Sequence, residues 1–305
     1  MPTTYHDVSR QTSNIALPVD VSQEIWGKIV ENSAFMQLAR RINIPGTGTT
    51  IQTITGEPTA NWVAETNPKP VSAHTFGKKT ITPYKLAVIE MFSKEFLRDK
   101  KGLYDECVRR LPGSLSKKFD QTIMSSTAPG SGFDVLGTGV SAVSLLPDTG
   151  VTVYDRFVAA DAAISANDGI MDAIALAPQG KSIVIGAVDQ AGHPLFTPGV
   201  QSNTVGNVLG ANVAISKGVY KAGAAGSPGT PATVGVAGDF TGGVWGSVDG
   251  IQMSVSDQAT VVDGSSNTIS LWQSNMIGVL VEIEVAFAVM DKSQLVLLTG
   301  ATPSA

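Results

Sequence analysis

The sequence is short of the residue types on which disulfide frameworks, metal sites and membrane spans depend. Its single cysteine, Cys107, excludes an internal disulfide framework and is typical of a reducing compartment. The three histidines are far apart and have no cysteine or carboxylate at ligand spacing, so we expect no metal site. The most apolar stretch, residues 276–290, is interrupted by Glu282 and Glu284, which argues against a membrane span. Residues 1–14 lack the apolar core of a signal peptide.

Charged residues are also scarce. They make up 15% of the 305 residues, against about 25% in a typical soluble domain. Hydrophobic residues make up 43%, which is enough for a sizeable core. A protein with so few charges must cover its surface in another way, and repeated contact between subunits is the simplest one. Residues 1–120 have a net charge of +4 and residues 121–305 one of −9, which predicts two faces with different surroundings.

The sequence contains no recognisable catalytic constellation. Nucleophile-elbow, Walker and zinc-protease patterns are missing. The one look-alike is Asp148-Thr149-Gly150, since two such carboxylates sharing a proton would form an aspartic protease dyad. Val151 stands where a small polar residue is expected, and Asp263-Gly264 is a poor second copy. We therefore interpret Asp148-Thr149-Gly150 as a turn before a helix, and we expect neither enzymatic activity nor a cofactor.

An extended segment organises the chain. Residues 76–92 alternate with the period of a strand, and at about 3.3 Å per residue they would span roughly 50 Å, too far for a compact core. Residues 49–55 form a β-branched second leg. Between the legs, residues 56–71 contain three prolines and one large aromatic, Trp62. We predict an arm that leaves the body and packs on a neighbouring molecule. Trp62 would either anchor that contact or pack on its own hairpin and stiffen it.

Helical periodicity predicts an opening helix from residue 21, a helix that follows Ser93, a long helix over residues 103–124 bent at Pro112, and a helix from Thr152 to about residue 167. Residues 125–150 are rich in glycine, serine and proline and are interpreted as a crossing between domains. Residues 221–238 are predicted to form a flexible surface loop. Short strands are predicted at residues 173–177, 182–188, 212–216, 251–256 and 279–287.

Three runs of residues occur in an order that carries a family resemblance. They are PVDVSQEIWGKIVENSAFMQLARRI, GEPTANWVAE and TPYKLAVIEMFSKEFLRD. They resemble the N-terminal half of tailed-phage major capsid proteins of the Hong Kong 97 type, with an opening helix, a wide hairpin around a W–E tip, a Y-K-L strand and a long helix. DQAGHPLF, GDF and LWQSNMIGVLVEIEVAFAVMD are similar to runs in the C-terminal half of that family. The resemblance covers most of residues 18–300.

The resemblance implies an α+β fold of the Hong Kong 97 capsid type. Its parts are an N-terminal arm, an extended E-loop hairpin, a peripheral P-domain with a long spine helix, and an axial A-domain. The expected boundaries are the N-terminal arm at residues 1–20, the opening helix of the P-domain at 21–43, the E-loop hairpin at 44–91, the spine helix at 92–126, the A-domain at 127–247, P-domain strands at 248–287 and a C-terminal segment returning to the A-domain at 288–305.

The resemblance also implies a function. The chain is expected to be a major capsid protein that self-assembles as pentamers and hexamers into the icosahedral head shell of a tailed phage. The shell would enclose double-stranded DNA, and assembly would take place in the host cytoplasm with separate scaffold, portal and decoration proteins but without a membrane. Contacts between subunits are expected at the E-loop residues Glu57, Trp62, Glu65, Lys69, Lys78 and Lys79.

Two basic pairs on the predicted long helix are candidates for contact with the DNA. The pairs are Arg109-Arg110 and Lys117-Lys118. Arg110 and Lys117 are seven residues apart and lie on nearly the same helix face. The simpler interpretation is a solvated face.

Two other functions remain open at this point. One is an encapsulin-like nanocompartment with the same fold. The other is a secreted β-rich hydrolase or adhesin, which would need a secretion signal or a polar catalytic cluster.

Overall fold

The structure is a computed structural model that describes residues 29, 32–56, 58–65, 68–99, 101–188, 193, 207–226, 229–262 and 267–301. The predicted N-terminal arm, residues 21–28, 30 and 31 of the predicted opening helix, Glu57 and most of the DQAGHPLF run lie outside the described residues. No described helix is long and apolar enough to cross a membrane.

The described residues form a mixed α and β structure. The helices are α1 (Ala34–Leu38), α2 (Lys94–Asp99), α3 (Lys101–Met124), α4 (Val153–Ser165), α5 (Pro178–Ile185) and a 3-10 turn at Lys292–Gln294. The first strands are β1 (Arg40–Asn43), β2 (Thr49–Gly56), β3 (Thr75–Ile81), β4 (Tyr84–Ser93), β5 (Ser141–Ser144), β6 (Ala173–Leu176), β7 (Asn207–Val208) and β8 (Ala211–Ile215). The remaining strands are β9 (Thr233–Gly238), β10 (Gly243–Ser247), β11 (Gln252–Ser256), β12 (Thr260–Val262), β13 (Thr268–Ser270), β14 (Met276–Val289) and β15 (Leu295–Thr299).

A five-stranded sheet is built around β14. Strand β4 pairs with it antiparallel along one edge, β10 and β11 pair with it antiparallel, and β1 extends the sheet beyond β10. The alternation predicted for residues 279–287 is confirmed. Val279, Val281, Ile283, Val285 and Phe287 are buried in the main core. Glu282 and Glu284 face the other way, where Lys85 Nζ lies 3.1 Å and 3.6 Å from their carboxylate oxygens.

The long helix α3 covers the inward face of this sheet. Its buried side chains recur about every four residues, as predicted, and enter the same core as β14; they are Leu111, Leu115, Phe119 and Ile123. The Phe119 ring meets the Phe287 ring edge-on at a centroid distance of 6.4 Å. Pro112 lies inside the helix, as the sequence indicated. The bend expected there stays a prediction.

The second sheet has six strands in the order β5-β15-β9-β6-β8-β7. Helix α4, whose capping box joins Thr152 and Asp155, packs its buried face on this sheet. The two faces of β6 enter different cores: Ile174 and Leu176 contact the α4 side, while Ala173 and Ala175 belong to the main core. A sheet buried on both faces explains why all four residues of β6 are buried.

Two predictions in this second region are wrong. Residues 182–188 are predicted as a strand, but α5 begins at Pro178 and runs through Ile185. Residues 221–238 were predicted as a flexible loop, yet β9 within that range is a fully buried strand between β15 and β6. The small residues there serve close packing, since a Cβ on Gly235 would lie 2.8 Å from the Ala175 carbonyl oxygen.

The single strand predicted over residues 76–92 is also wrong. The chain leaves strand geometry at Thr82 and Pro83, which separate β3 from β4. Proline has no N–H to donate to a ladder, and the Thr82 N–H donates to the Gly132 carbonyl instead, at 3.1 Å. As a result only β3 belongs to the hairpin, and β4 lies in the body sheet. The turn at Asp148-Thr149-Gly150 and the helix start after Ser93 are confirmed.

Asp120 of α3 is the one charged side chain that is fully buried among the described residues. Its carboxylate accepts hydrogen bonds from the Ser33 hydroxyl (2.6 Å), the Ser216 hydroxyl (2.6 Å) and the Ala34 N–H (3.1 Å). It therefore joins the segment before α1, the long helix and the loop after β8. Burial raises the pKa of Asp120 to about 6, although the hydrogen bonds act in the opposite direction.

The raised pKa of Asp120 predicts a pH-dependent stability. The folded state binds the proton more tightly than the unfolded state, so this group's contribution is fully present below about pH 4. That contribution is lost as the pH rises through about 6. Relative to Asp120→Asn, the wild-type subunit should gain about 1–1.5 kcal/mol in free energy of unfolding between pH 7.5 and pH 5.0.

Urea denaturation at both pH values measures this gain. Asp161→Asn on α4 is the control and should parallel the wild type. Equal pH dependence of Asp120→Asn and wild type would contradict the prediction.

Candidate interaction surfaces

The hairpin formed by β2 and β3 is fixed to the body at its base. The two strands pair antiparallel from Thr49–Ile81 to Ile54–Phe76, with an irregularity before Gly56. We call the apolar group at the base the base cluster. It consists of Ile44, Ile81, Val244, Ala286 and Ala288, with Ile42, Ile51 and Met290 packed around it. Ala286 and Ala288 lie on β14, so the hairpin is anchored on the body sheet.

The far end of the hairpin is open to solvent. Every described residue at positions 58–65 and 68–74 is exposed. The Trp62 and Val71 side chains are almost fully accessible, at 105% and 98% relative exposure. Trp62 therefore does not stiffen its own hairpin by packing on it, which was one of the two roles considered for it. Apolar side chains held so far from the body are free to meet another molecule.

The predicted contact residues divide into two groups. Trp62, Glu65, Lys69 and Lys78 are exposed on the hairpin. Lys79 instead lies on the inward side of β3, where its ammonium group is 2.7 Å from Asp134 of the same chain. The sequence held no signal for this pairing, because the two residues are far apart in the chain. Lys79 thus acts within the subunit.

The four basic residues predicted on the long helix share its solvent side. Arg109, Arg110, Lys117 and Lys118 are exposed, opposite the buried face of α3. Because α3 packs on the inward face of β14, this basic surface and Glu282 point to opposite sides of the helix–sheet pair. Glu282 also raises the pKa of the neighbouring Lys85 by accepting its hydrogen bond. The basic residues of α3 and the Lys85–Glu282–Glu284 group thus lie on two different layers.

The described residues contain no group of three or more histidine, cysteine, aspartate or glutamate side chains that could hold a metal ion. Their chemistry is that of contact surfaces: an exposed apolar tip, a basic helix face and a sheet face on which Lys85 pairs with Glu282 and Glu284.

Comparison with known proteins identifies the family. The model of the phage capsid family matches residues 14–300. "Probable major capsid protein gp17" of Mycobacterium phage D29 is 30% identical over 301 residues, covering 93% of this chain and 90% of that protein. The chain belongs to the phage capsid family. Its function is that of a major capsid protein, a structural subunit of the head shell of a tailed phage.

Solved structures confirm the predicted Hong Kong 97 type fold of this capsid protein. A chain from Mycobacterium phage Adephagia superposes with a TM-score of 0.72 at 18% identity, covering 90% of this chain and 92% of that one. A chain from Gordonia phage Cozz gives 0.70 at 22% identity, covering 94% and 92%. The D29 relative is a phage protein, which favours a virion over an encapsulin-like compartment and over a secreted hydrolase or adhesin. The domain boundaries expected from the sequence stay predictions.

Proposed function

We propose that the capsid subunit joins its copies through the far end of the β2–β3 hairpin, with Trp62 as the apolar anchor. The observation that carries this proposal is the full exposure of Trp62 at the end of a hairpin whose base is packed. Exposed apolar side chains on a protruding element gain free energy when a neighbour covers them. Glu65 and Lys69 beside the anchor supply charges that orient the contact.

The proposed contact repeats around the pentamers and hexamers of an icosahedral shell. A buried aromatic ring removes about 150–250 Å² from water, and truncating such an anchor often costs about 2 kcal/mol or more. Every subunit carries the same loss, so a modest weakening of one contact acts many times over in a shell. Assembly in the reducing host cytoplasm agrees with a sequence that has one cysteine. Separate scaffold, portal and decoration proteins are the other partners in this proposal.

The basic side of α3 is the proposed contact with packaged double-stranded DNA. Its four exposed cations lie on the side of α3 away from the body sheet, so this side of the subunit attracts phosphate. Such contacts are independent of base sequence and weaken as salt displaces them. This assignment orients the subunit, with α3 toward the interior of the head.

Loss of the hairpin tip should separate folding from assembly. Trp62→Ala, or deletion of residues 58–70, should leave circular dichroism and melting temperature near the wild-type values, because every described residue of the tip is exposed. Closed shells should become rare, since each subunit contact loses about 2 kcal/mol. Sedimentation velocity on the same samples measures the shells.

Two variants control for the tip experiment. Trp62→Phe keeps most of the apolar area and should retain shells, and Asn61→Ala changes a neighbouring exposed residue and should behave as wild type. Normal shell yield from the deletion variant would show that the hairpin tip is not the organising contact.

Removing the basic side of α3 should lower genome content. Shells with Lys117→Gln and Lys118→Gln, or with all four basic residues changed to Gln, should form at wild-type yield. They should retain less DNA after a wash at high salt, because each phosphate contact adds to the salt-dependent binding. Nuclease-protected DNA per shell is the measurement. The control Lys181→Gln with Lys217→Gln removes two positive charges elsewhere, as many as the Lys117 and Lys118 variant removes. It should leave the DNA content of the shells unchanged. Unchanged DNA content in the fourfold variant would refute the assignment.

A further inference from the structure

The loop after α3 fills the angle between the hairpin and the body. Its Gly132 carbonyl accepts the Thr82 N–H, and its Ser131 carbonyl accepts the Tyr84 hydroxyl at 2.7 Å. The two contacts lie on either side of Pro83, where the hairpin strand passes into the body strand. Gly132 has a φ of +80°, and a Cβ there would lie 2.6 Å from the Thr82 hydroxyl oxygen. The loop is therefore fitted closely to the hinge.

The same loop is tied firmly to the core. The Phe133 side chain is buried, and its ring lies 6.2 Å from that of Phe119 on α3 and 6.4 Å from that of Phe287 on β14. Farther along the loop, the Leu136 N–H donates to the Ile123 carbonyl of α3 at 2.7 Å. Because of these anchors, the position of the loop follows the position of the helix and the sheet.

Asp134 carries the connection from this loop to the hairpin. One carboxylate oxygen lies 2.7 Å from Lys79 Nζ on β3 and also accepts the Val289 N–H at 2.9 Å. The other oxygen is 3.8 Å from Lys292 Nζ, which donates to the Val135 carbonyl at 2.7 Å. The Asp134 N–H donates to the Phe287 carbonyl at 2.9 Å. The carboxylate is thus held by the body before it meets Lys79.

The placement of Lys79 gives this ion pair leverage over the hairpin. Lys79 and Ile81 are two residues apart on the same face of β3, and Lys79 lies opposite Ile51, so the ion pair holds the hairpin at the outer edge of the base cluster. The eight residues of β2 extend about 26 Å at about 3.3 Å per residue. A rotation of about 10° at the base would shift the end of that strand by roughly 4–5 Å, which exceeds a packing contact.

We propose that Asp134 is a positioning residue that, through Lys79, sets the angle of the hairpin so that every subunit presents its tip in one direction. This inference rests on the proposed function in one respect, namely that the tip of the hairpin is the contact between subunits. It gives the two adjacent lysines of β3 different roles: Lys79 orients the hairpin from within the subunit, and Lys78 remains on the exposed side.

The hairpin angle is measured on full-length unassembled subunits by electron–electron distance spectroscopy. Spin labels are placed at Lys69→Cys on the hairpin and Gln121→Cys on the exposed side of α3, with Cys107→Ser to remove the native thiol. The wild type and the matched control Lys78→Gln should show one narrow distance distribution. Lys79→Gln and Asp134→Asn should at least double its width. High salt should broaden the wild-type distribution and leave Lys79→Gln unchanged, because the ion pair is partly exposed.

Equal widths for Lys79→Gln and Lys78→Gln would overturn the proposal, whatever the shells look like. Should Asp134→Asn fail to fold, Lys79→Gln alone carries the test, because Lys79 is partly exposed and its loss leaves the core intact. In assembled particles, Lys79→Gln should widen the distribution of shell diameters seen by electron microscopy, and Lys217→Gln, which removes an exposed lysine outside the hairpin, should not. Uniform shells from Lys79→Gln would overturn the link to assembly. Normal shell yield from the tip variants would contradict the proposed contact but would not affect the hairpin angle measured on unassembled subunits. The two proposals can therefore fail separately.

Discussion

The contact between α3 and the inward face of β14 supports most of the described structure. Phe119 and Phe287 meet edge-on there, and Phe133 closes the group from the loop that follows the helix. Edge-to-face rings with large buried area give both stabilisation and a defined relative orientation. This single packing arrangement places the basic side of α3 opposite Glu282 and Glu284. It also sets the loop that holds the hairpin.

Polar groups inside this frame connect segments that are distant in the chain. Asp120 on α3 is buried and is held by hydroxyl and backbone donors from two other segments. Asp134 is also held by a backbone donor, but its carboxylate reaches outward to Lys79. A carboxylate removed wholly or partly from water is costly unless its hydrogen bonds are satisfied, so both residues require the surrounding segments in one arrangement. Both therefore favour one relative arrangement of the parts they join.

A shell subunit has unusual requirements, and the composition reflects them. Low charge and an exposed tryptophan on a protruding hairpin would be liabilities in a monomer, because exposed apolar groups promote association. In a capsid protein, association is the function. Inside the subunit, the small residues of β9 allow close packing, since Gly235 lets neighbouring strands and side chains approach closely.

Local patterns in the sequence were enough to predict α3, α4, the two faces of β14 and the existence of a hairpin around Trp62. Each depends on a period or a cap that a few neighbouring residues determine. The order of weak motifs was enough for the family. Other features were decided only by tertiary structure. β-Branched residues after Pro178 form a helix, and a glycine-rich segment forms the buried strand β9, because packing overrides local propensity.

The pairings of Asp120 and Asp134 were equally invisible in the sequence. Their partners lie tens to hundreds of residues away in the chain, and no spacing rule links them. A lysine on an alternating strand has the same local pattern whether it faces solvent or a carboxylate. The sequence alone therefore determined that a hairpin leaves the body. Only the tertiary structure decided where it bends and which lysine holds it, because both depend on a loop that the core brings beside β3.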